Sequence, residues 1–264
     1  MPASRVVAVT GGARGIGLAT ARALVADGAR VAIGDLDSAA VQGVAGYPLD
    51  VTSPASFAQF LADVQRDLGP VDVLVNNAGV LAAGPVAEQP DHVTRRIIEV
   101  NLLGVITGTR LALRSMLPRG SGHIVNVASL SGETYAGGEA TYCASKYGVV
   151  GFTDAARFEL SGSGVRFTLV MPALVDTRLT AGARRMRFVN RRVSPDEVAA
   201  AIVRVLHRPR RRVYVPTSMG VAVRARRLVP AQLSDAIAGL LGARSMFLDV
   251  ESGVRDDYEQ GLRA

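Results

Sequence analysis

The chain has no tryptophan, few aromatics (5%) and a single cysteine, Cys143. One cysteine excludes an intramolecular disulfide and any metal site built from several thiolates. With so few large rings, the interior must be filled by Ala, Val, Leu and Ile, which suits helices packed closely on a sheet. No apolar run approaches the roughly 18 residues that span a bilayer. No secretory pattern precedes the run Val6–Val9. The expectation is a cytoplasmic protein, associated with membranes at most peripherally. Lysine is nearly absent as well: among 30 basic residues, Lys146 is the only one that is not arginine. A position that keeps a compact ammonium while every other cation is a guanidinium points to a role a planar group cannot fill.

Length and charge narrow the class. At 264 residues, one α/β domain is the favoured organisation. The net charge of +7 is uneven, with thirteen arginines between Arg184 and Arg227 against only Asp196 and Glu197. That excess raises an alternative, a nucleic-acid or anionic-membrane binder that uses the basic C-terminal third. Only Phe188 and Tyr214 interleave those arginines, which weakens a base-stacking mode, and no nucleic-acid partner is expected.

Short β-branched runs alternate with helical patterns, the signature of βαβ units and a parallel, doubly wound sheet with helices on both faces. Strands are read at 5–9, 30–34, 71–75, 123–127, 166–170 and 212–215. Helices are read at 16–27, 54–68, 91–116, 142–160 and 195–207. Ser194, Pro195 and Glu197 form a capping-box pattern. Residues 1–215 are expected to form the dinucleotide-binding unit, and 216–264 an extension packed on it. There Leu233, Ile237, Leu240 and Leu241 recur at helical spacing, read as a core-docking face.

Three features carry chemistry. The run from Thr10 to Gly17, with Gly11, Arg14, Gly15, Ile16 and Gly17, lies between the first strand and the first helix. Glycines there let the backbone approach a pyrophosphate, which the helix N-terminus stabilises. Asp35, eighteen residues beyond Gly17, ends the second strand, where a carboxylate accepts bonds from ribose hydroxyls and repels a 2′-phosphate. NAD is therefore expected over NADP, although Arg14 could pair with that phosphate. Tyr142 and Lys146 lie four apart on one helical face; a free phenol titrates near 10, and a nearby ammonium favours its ionised form. The three histidines, His92, His123 and His207, have no metal-ligand company, and no metal is expected. Cys143 reads as a small buried residue.

These features, in this order, resemble the short-chain dehydrogenase/reductase family from Arg5 to about Val215. The resemblance rests on Gly11, Gly15 and Gly17, Asp50-Val51, Asn76-Asn77-Ala78-Gly79, Asn101, Ser129, the Tyr142–Lys146 pair, and Pro172 with Thr177. It implies a nicotinamide-dependent oxidoreductase acting on a carbonyl or secondary alcohol. Asp50 would contact the adenine amino group and Val51 its ring, while Asn76, Asn77, Ala78 and Gly79 would steady the sheet beside the cofactor. Asn101 would hold a water that links Lys146 to solvent, Ser129 would polarise the substrate oxygen, and Tyr142 would exchange its proton. Pro172, Val175 and Thr177 would seat the nicotinamide carboxamide. Ser129 follows an apolar strand and so falls at its carboxyl end, where open α/β sheets bind ligands.

Two departures qualify the resemblance. Ala173 stands where the family has glycine, so the turn after Pro172 must avoid positive φ. Almost fifty residues follow the last strand, and a homodimer through the long helices is expected. Residues 178–194 are read as a lid that mixes Leu179, Met186 and Phe188 with Arg184, Arg185 and Arg187. That mixture fits a mostly apolar substrate with an anionic group. Enoyl reduction, and a cofactor-binding scaffold without turnover, rank below carbonyl chemistry.

Overall fold

A computed structural model describes residues 4–37, 44–183, 192–226 and 228–248. Its centre is a seven-stranded parallel sheet in the order β3-β2-β1-β4-β5-β6-β7. The strands are β1 (Val6–Thr10), β2 (Arg30–Asp35), β3 (Ala45–Pro48), β4 (Val73–Asn76), β5 (Gly122–Val127), β6 (Val165–Pro172) and β7 (Arg212–Val215). The order reverses between β1 and β4, and ligands bind in the crevice at such a switch point.

Both faces of the sheet are buried, as the continuous apolar strands require. Val7, Val9, Ile33, Val75 and Val125 point to one face and pack with Ala21 and Leu24 of α1 (Gly15–Ala26) and Ile202 of α6 (Pro195–His207). Val6, Ala8, Leu74 and Ile124 point to the other, against Phe57, Phe60 and Val64 of α2 (Pro54–Leu68) and Met116 of α4 (Gly104–Met116). Alternation along a strand and the 3.6-residue helical period thus produce three layers from a chain without tryptophan. Caps fix the helix starts: Ser53 accepts from the Ser56 N–H ahead of α2, and Ser194 with Glu197 closes the expected capping box on α6.

Four expectations need correction. The strand β3 was not anticipated, because Ala45–Pro48 is short, half exposed and holds both Gly46 and Pro48, tolerable only at a sheet edge. The helix read over 91–116 is α3 (Asp91–Ile98) and α4 joined by a π turn at Glu99–Leu103, where the Gly104 N–H bonds the Glu99 carbonyl. Across the π turn the buried positions Val93, Ile97, Asn101 and Val105 still follow one another at four-residue steps, so periodicity does not reveal it. The other strand and helix ends moved by a residue or two. The third correction concerns α8 (Ala231–Leu240). Leu233, Ile237 and Leu240, read as a docking face, are 54%, 46% and 77% exposed, while Ser234 is buried. Spacing finds a stripe but not the direction in which it faces. Finally, the arginine-rich third is not a free basic face throughout. Arg192 pairs with Asp176 at 3.3 Å, Arg211 with Asp154 at 3.2 Å, and Arg212 with both Asp154 and Glu133. Glu133 and Asp154 lie far upstream and reach the arginines only in the fold.

Candidate active site

The glycine turn is built by close approach. Gly11 and Gly15 adopt φ of 65° and 54°, and a Cβ on Gly17 would stand 2.1 Å from the Gly11 carbonyl oxygen. Only a residue without a side chain fits there. Asn77 locks the turn from the next strand: its Nδ2 donates to the Thr10 and Gly11 carbonyls at 2.9 and 3.0 Å, and Thr10 Oγ1 accepts from the Asn77 and Ala78 N–H groups. The N-cap Arg14 is exposed and makes no side-chain cap, and no acid occupies the first turn of α1. Its N–H groups are left for an anion. This cradle fits a dinucleotide pyrophosphate. Asp35 sits beside it at the end of β2, with Oδ2 accepting from the Ala13 N–H at 3.0 Å. Asp50 anchors the turn after β3 by accepting from the Thr52 N–H and hydroxyl, and Val51 packs where a Cβ on Gly104 would lie 3.2 Å away.

Beyond the turn opens a cavity of about 530 Å³ at the carboxyl ends of β4, β5 and β6. Ile16, Asn77, Gly79, Ser129, Tyr142, Lys146, Pro172, Val175 and Thr177, singled out in distant parts of the sequence, all line it. Helix α5 (Ala140–Glu159) carries Tyr142 in its first turn and Lys146 one turn later. The Lys146 Nζ donates to the Val127 carbonyl at 3.1 Å and lies 5.6 Å from the centre of the Tyr142 ring. Burial pushes the lysine pKa down to about 8. Ser129 accepts a bond from the Ser131 N–H at 3.1 Å. That occupies a lone pair and leaves the serine proton available to a substrate oxygen.

The remaining predicted residues stand behind the cavity. Asn101, in the π turn, holds Val80 at both ends: its Oδ1 accepts from the Val80 N–H at 2.8 Å and its Nδ2 donates to the Val80 carbonyl at 2.8 Å. Nδ2 also donates to Ser145 Oγ at 3.0 Å. A Cβ on Gly79 would lie 3.4 Å from Asn101 Oδ1 and 3.6 Å from Lys146 Nζ, so the three meet at one point. Asn76 turns away from the cavity and donates to Asn126 Oδ1 at 2.8 Å across the sheet. Thr177 rests its methyl where a Cβ on Gly15 would be 3.5 Å distant, joining the loop after β6 to the glycine turn. Ala173 avoids positive φ, as its Cβ demands, and its N–H bonds the Val215 carbonyl at 2.8 Å.

The sequence reading missed the roof. Met219 and Val223 of α7 (Ser218–Arg226), Ile237 and Leu241 at α8, and Phe247 all line the cavity. The roof is pinned by backbone bonds, from Gly137 N–H to the Ala243 carbonyl and from Phe247 N–H to the Gly137 carbonyl. The helical stripe at 233–241 was the only signal, and it pointed to burial rather than to a ligand. Of the expected lid, Leu179, Thr180 and Arg192 line the cavity, whereas Arg184, Arg185, Met186, Arg187 and Phe188 lie outside the described residues. His123 is buried, held near pKa 4 by desolvation, and bonded to Thr168 at 2.9 Å. Burial and Glu139 push the Cys143 thiol up to about 12. Among the described residues, no group of three or more metal-ligating side chains forms and no helix is long and apolar enough to cross a membrane.

Fold and site together define a dinucleotide-binding α/β protein of the doubly wound class, with its cavity beside the switch point. The short chain dehydrogenase profile matches residues 5–187, and the chain belongs to the short-chain dehydrogenase/reductase family. It is thereby an NAD(P)-dependent oxidoreductase that acts on carbonyl or CH–OH groups. A Streptomyces coelicolor protein provisionally named a ketoacyl reductase is 40% identical over 195 residues, covering 69% of this chain and 74% of its own length. The 3-oxoacyl-[acyl-carrier-protein] reductase MabA of Mycobacterium tuberculosis is 36% identical over 207 residues, 75% of this chain and 84% of that protein. Among solved structures, a short chain dehydrogenase/reductase from Burkholderia phymatum in complex with NAD shares the fold with a TM-score of 0.77. It is 24% identical and the match covers 85% of this chain and 93% of that one.

Proposed function

We infer that this chain interconverts a ketone and a secondary alcohol on a largely apolar substrate, with Tyr142 as the proton-transferring residue. One observation carries the reading: Ser129, Tyr142 and Lys146 line one largely apolar cavity that also takes in Ile16 of the glycine turn, with the Lys146 Nζ 5.6 Å from the centre of the Tyr142 ring. The bound nicotinamide would supply hydride transfer. The chain's own residues do the rest. Ser129, with one lone pair engaged by Ser131, donates to the substrate oxygen. Tyr142 delivers a proton to that oxygen in reduction and removes it in oxidation. Lys146, held by the Val127 carbonyl, compensates the phenolate. Asn101 positions Val80 and Ser145 around this group, consistent with a water relay behind Lys146.

The cofactor would lie with its pyrophosphate over Gly11–Gly17, its adenine end toward Asp50 and Val51, and its nicotinamide end toward Pro172, Val175 and Thr177. The Asp35 carboxylate beside the turn favours NAD, since it would repel a 2′-phosphate. The names of the relatives make a ketone on an acyl chain a fitting substrate, and a roof of Met219, Val223 and Phe247 is apolar enough to receive one. A binder of nucleic acid or anionic membranes is less well supported, because Arg192, Arg211 and Arg212 are neutralised by acids within the fold. The test is a panel of ketones and secondary alcohols with each of NAD(H) and NADP(H), repeated with Tyr142→Phe. Turnover that falls by two or more orders of magnitude in the variant, with cofactor binding retained, is expected. Unchanged turnover would refute the assignment.

A further inference from the structure

Apart from the catalytic wall, the cavity is lined mainly by apolar side chains, and one carboxylic acid interrupts them. Glu139 lines the cavity, is only 4% exposed, and stands three residues before Tyr142, at the mouth of the same helical turn. Its Oε1 accepts from the Ser131 hydroxyl at 2.9 Å and from the Cys143 thiol at 3.4 Å, and the Ala136 N–H also bonds the carboxylate. Among the described residues it makes no ion pair. A carboxylate offers about four acceptor sites, so these three donors leave capacity for another. Burial without a counter-cation pushes its pKa up to about 7, so the ionised form is under-solvated there.

The two arginines on the lining have partners of their own. Arg192 is paired with Asp176, and Arg226 donates to Ser234 Oγ and the Glu133 carbonyl while lying over the Tyr135 ring. Glu139 is also linked to the reacting centre. Ser131, which donates its hydroxyl to Glu139, donates its N–H to Ser129 Oγ. An acceptor thus lies next to the place where the substrate oxygen would be polarised, inside walls that offer a substrate donor few competing partners.

We propose that Glu139 selects the substrate of this site by accepting a hydrogen bond from a donor, hydroxyl or protonated amine, carried near the reacting carbonyl. This rests on the oxidoreductase reading for the position of that carbonyl. A donor that reaches Glu139 replaces solvation the buried carboxylate lacks. A plain ketone leaves it lacking, and unpaired buried groups are the strongest source of discrimination between otherwise similar ligands.

The experiment compares three ketones of one ring size, cyclohexanone, 4-hydroxycyclohexanone and 4-piperidone, with the full-length protein, Glu139→Gln and Glu139→Leu. Both kcat/KM and ligand-induced shifts of the melting temperature in the presence of reduced cofactor are read. The expected result is a preference of at least tenfold for one or both donor-bearing ketones over cyclohexanone in the wild type. Glu139→Leu brings the ratio to near one. Glu139→Gln, which keeps an acceptor of the same shape, retains the hydroxyl preference and loses that for the amine. A hydroxyl or an ammonium as the natural donor is told apart by which of the two ketones is favoured. Equal kcat/KM and equal melting shifts for all three ketones in the wild type overturn the proposal. So does a parallel fall for all three in Glu139→Leu with the ratio intact, which would leave Glu139 only a support for Ser131. If no ketone turns over but donor-bearing ligands still raise the melting temperature in a Glu139-dependent way, selection stands and the catalytic reading fails.

Discussion

Lys146 lets the price of function be measured as stability. The ammonium is buried, and desolvation lowers its pKa from 10.5 to about 8. One pKa unit corresponds to about 1.4 kcal/mol, so the charged lysine disfavours the folded state by about 3 kcal/mol at neutral pH. The folded protein releases this proton more readily than the unfolded chain. Between pH 8 and 10.5 the unfolded state therefore binds more protons, and the wild type gains stability from this group as pH rises. Replacing Lys146 by Met keeps much of the volume and removes the charge, at the loss of the bond to the Val127 carbonyl, worth roughly 1–3 kcal/mol. The net change at pH 7 is thus expected to be small or stabilising, with turnover abolished. The pH trend is the sharper test. The stability of the Met variant relative to the wild type should fall by about 2 kcal/mol between pH 7 and pH 10, because the wild-type penalty fades. Guanidinium unfolding of both proteins at the two pH values, each protein also carrying Tyr142→Phe so that the neighbouring phenol does not titrate, measures it, and groups remote from position 146 cancel in the difference. A difference that does not change with pH would mean that the ammonium is not desolvated in the fold, and that this account of Lys146 is wrong.

Three further outcomes are expected. Glu133 has a side chain 1% exposed and is held by Arg212 and the Tyr214 hydroxyl. Arg212→Met should lower stability by about 1–3 kcal/mol by removing the charged hydrogen bond that Arg212 makes to that buried carboxylate, and a second change, Glu133→Gln, should recover part of the loss in chemical unfolding. In Gly17→Ala, the added methyl meets the Gly11 carbonyl. A loss of about 1–3 kcal/mol and weakened NADH binding by fluorescence titration should result, and full retention of both would contradict the turn geometry. Asp35→Asn keeps an acceptor for the Ala13 N–H but removes the charge. The ratio of kcat/KM with NADPH to that with NADH should rise at least tenfold, and an unchanged ratio would remove Asp35 from cofactor selection.

Much of the architecture was legible because it is written in short-range patterns. Short β-branched runs such as Val6–Val9 and Ile124–Val127, bounded by turn residues, read as strands buried on both faces. The Ser194–Glu197 box marks a helix start by local bonding alone, and the glycine spacing from Gly11 to Gly17 prescribes the turn that β1 and α1 share. The Tyr142–Lys146 pair was legible for the same reason, since four residues on a helix are one turn. By contrast, β3 lacked a pattern, the π turn at Asn101 preserved the one around it, and the stripe of α8 gave no direction.

The sequence by itself determined most of the strands and helices, where the glycine turn lies and which helix face bears the phenol and the ammonium, because each depends on neighbours within a few residues. Only the tertiary structure decided what surrounds them. It brought Asp154 and Glu133 to the arginines, laid Met219, Val223 and Phe247 over the cavity, and enclosed Glu139 among apolar walls. Burial and ion pairing depend on what lies nearby in space, and groups that lie nearby in space here are as much as 201 residues apart in the chain.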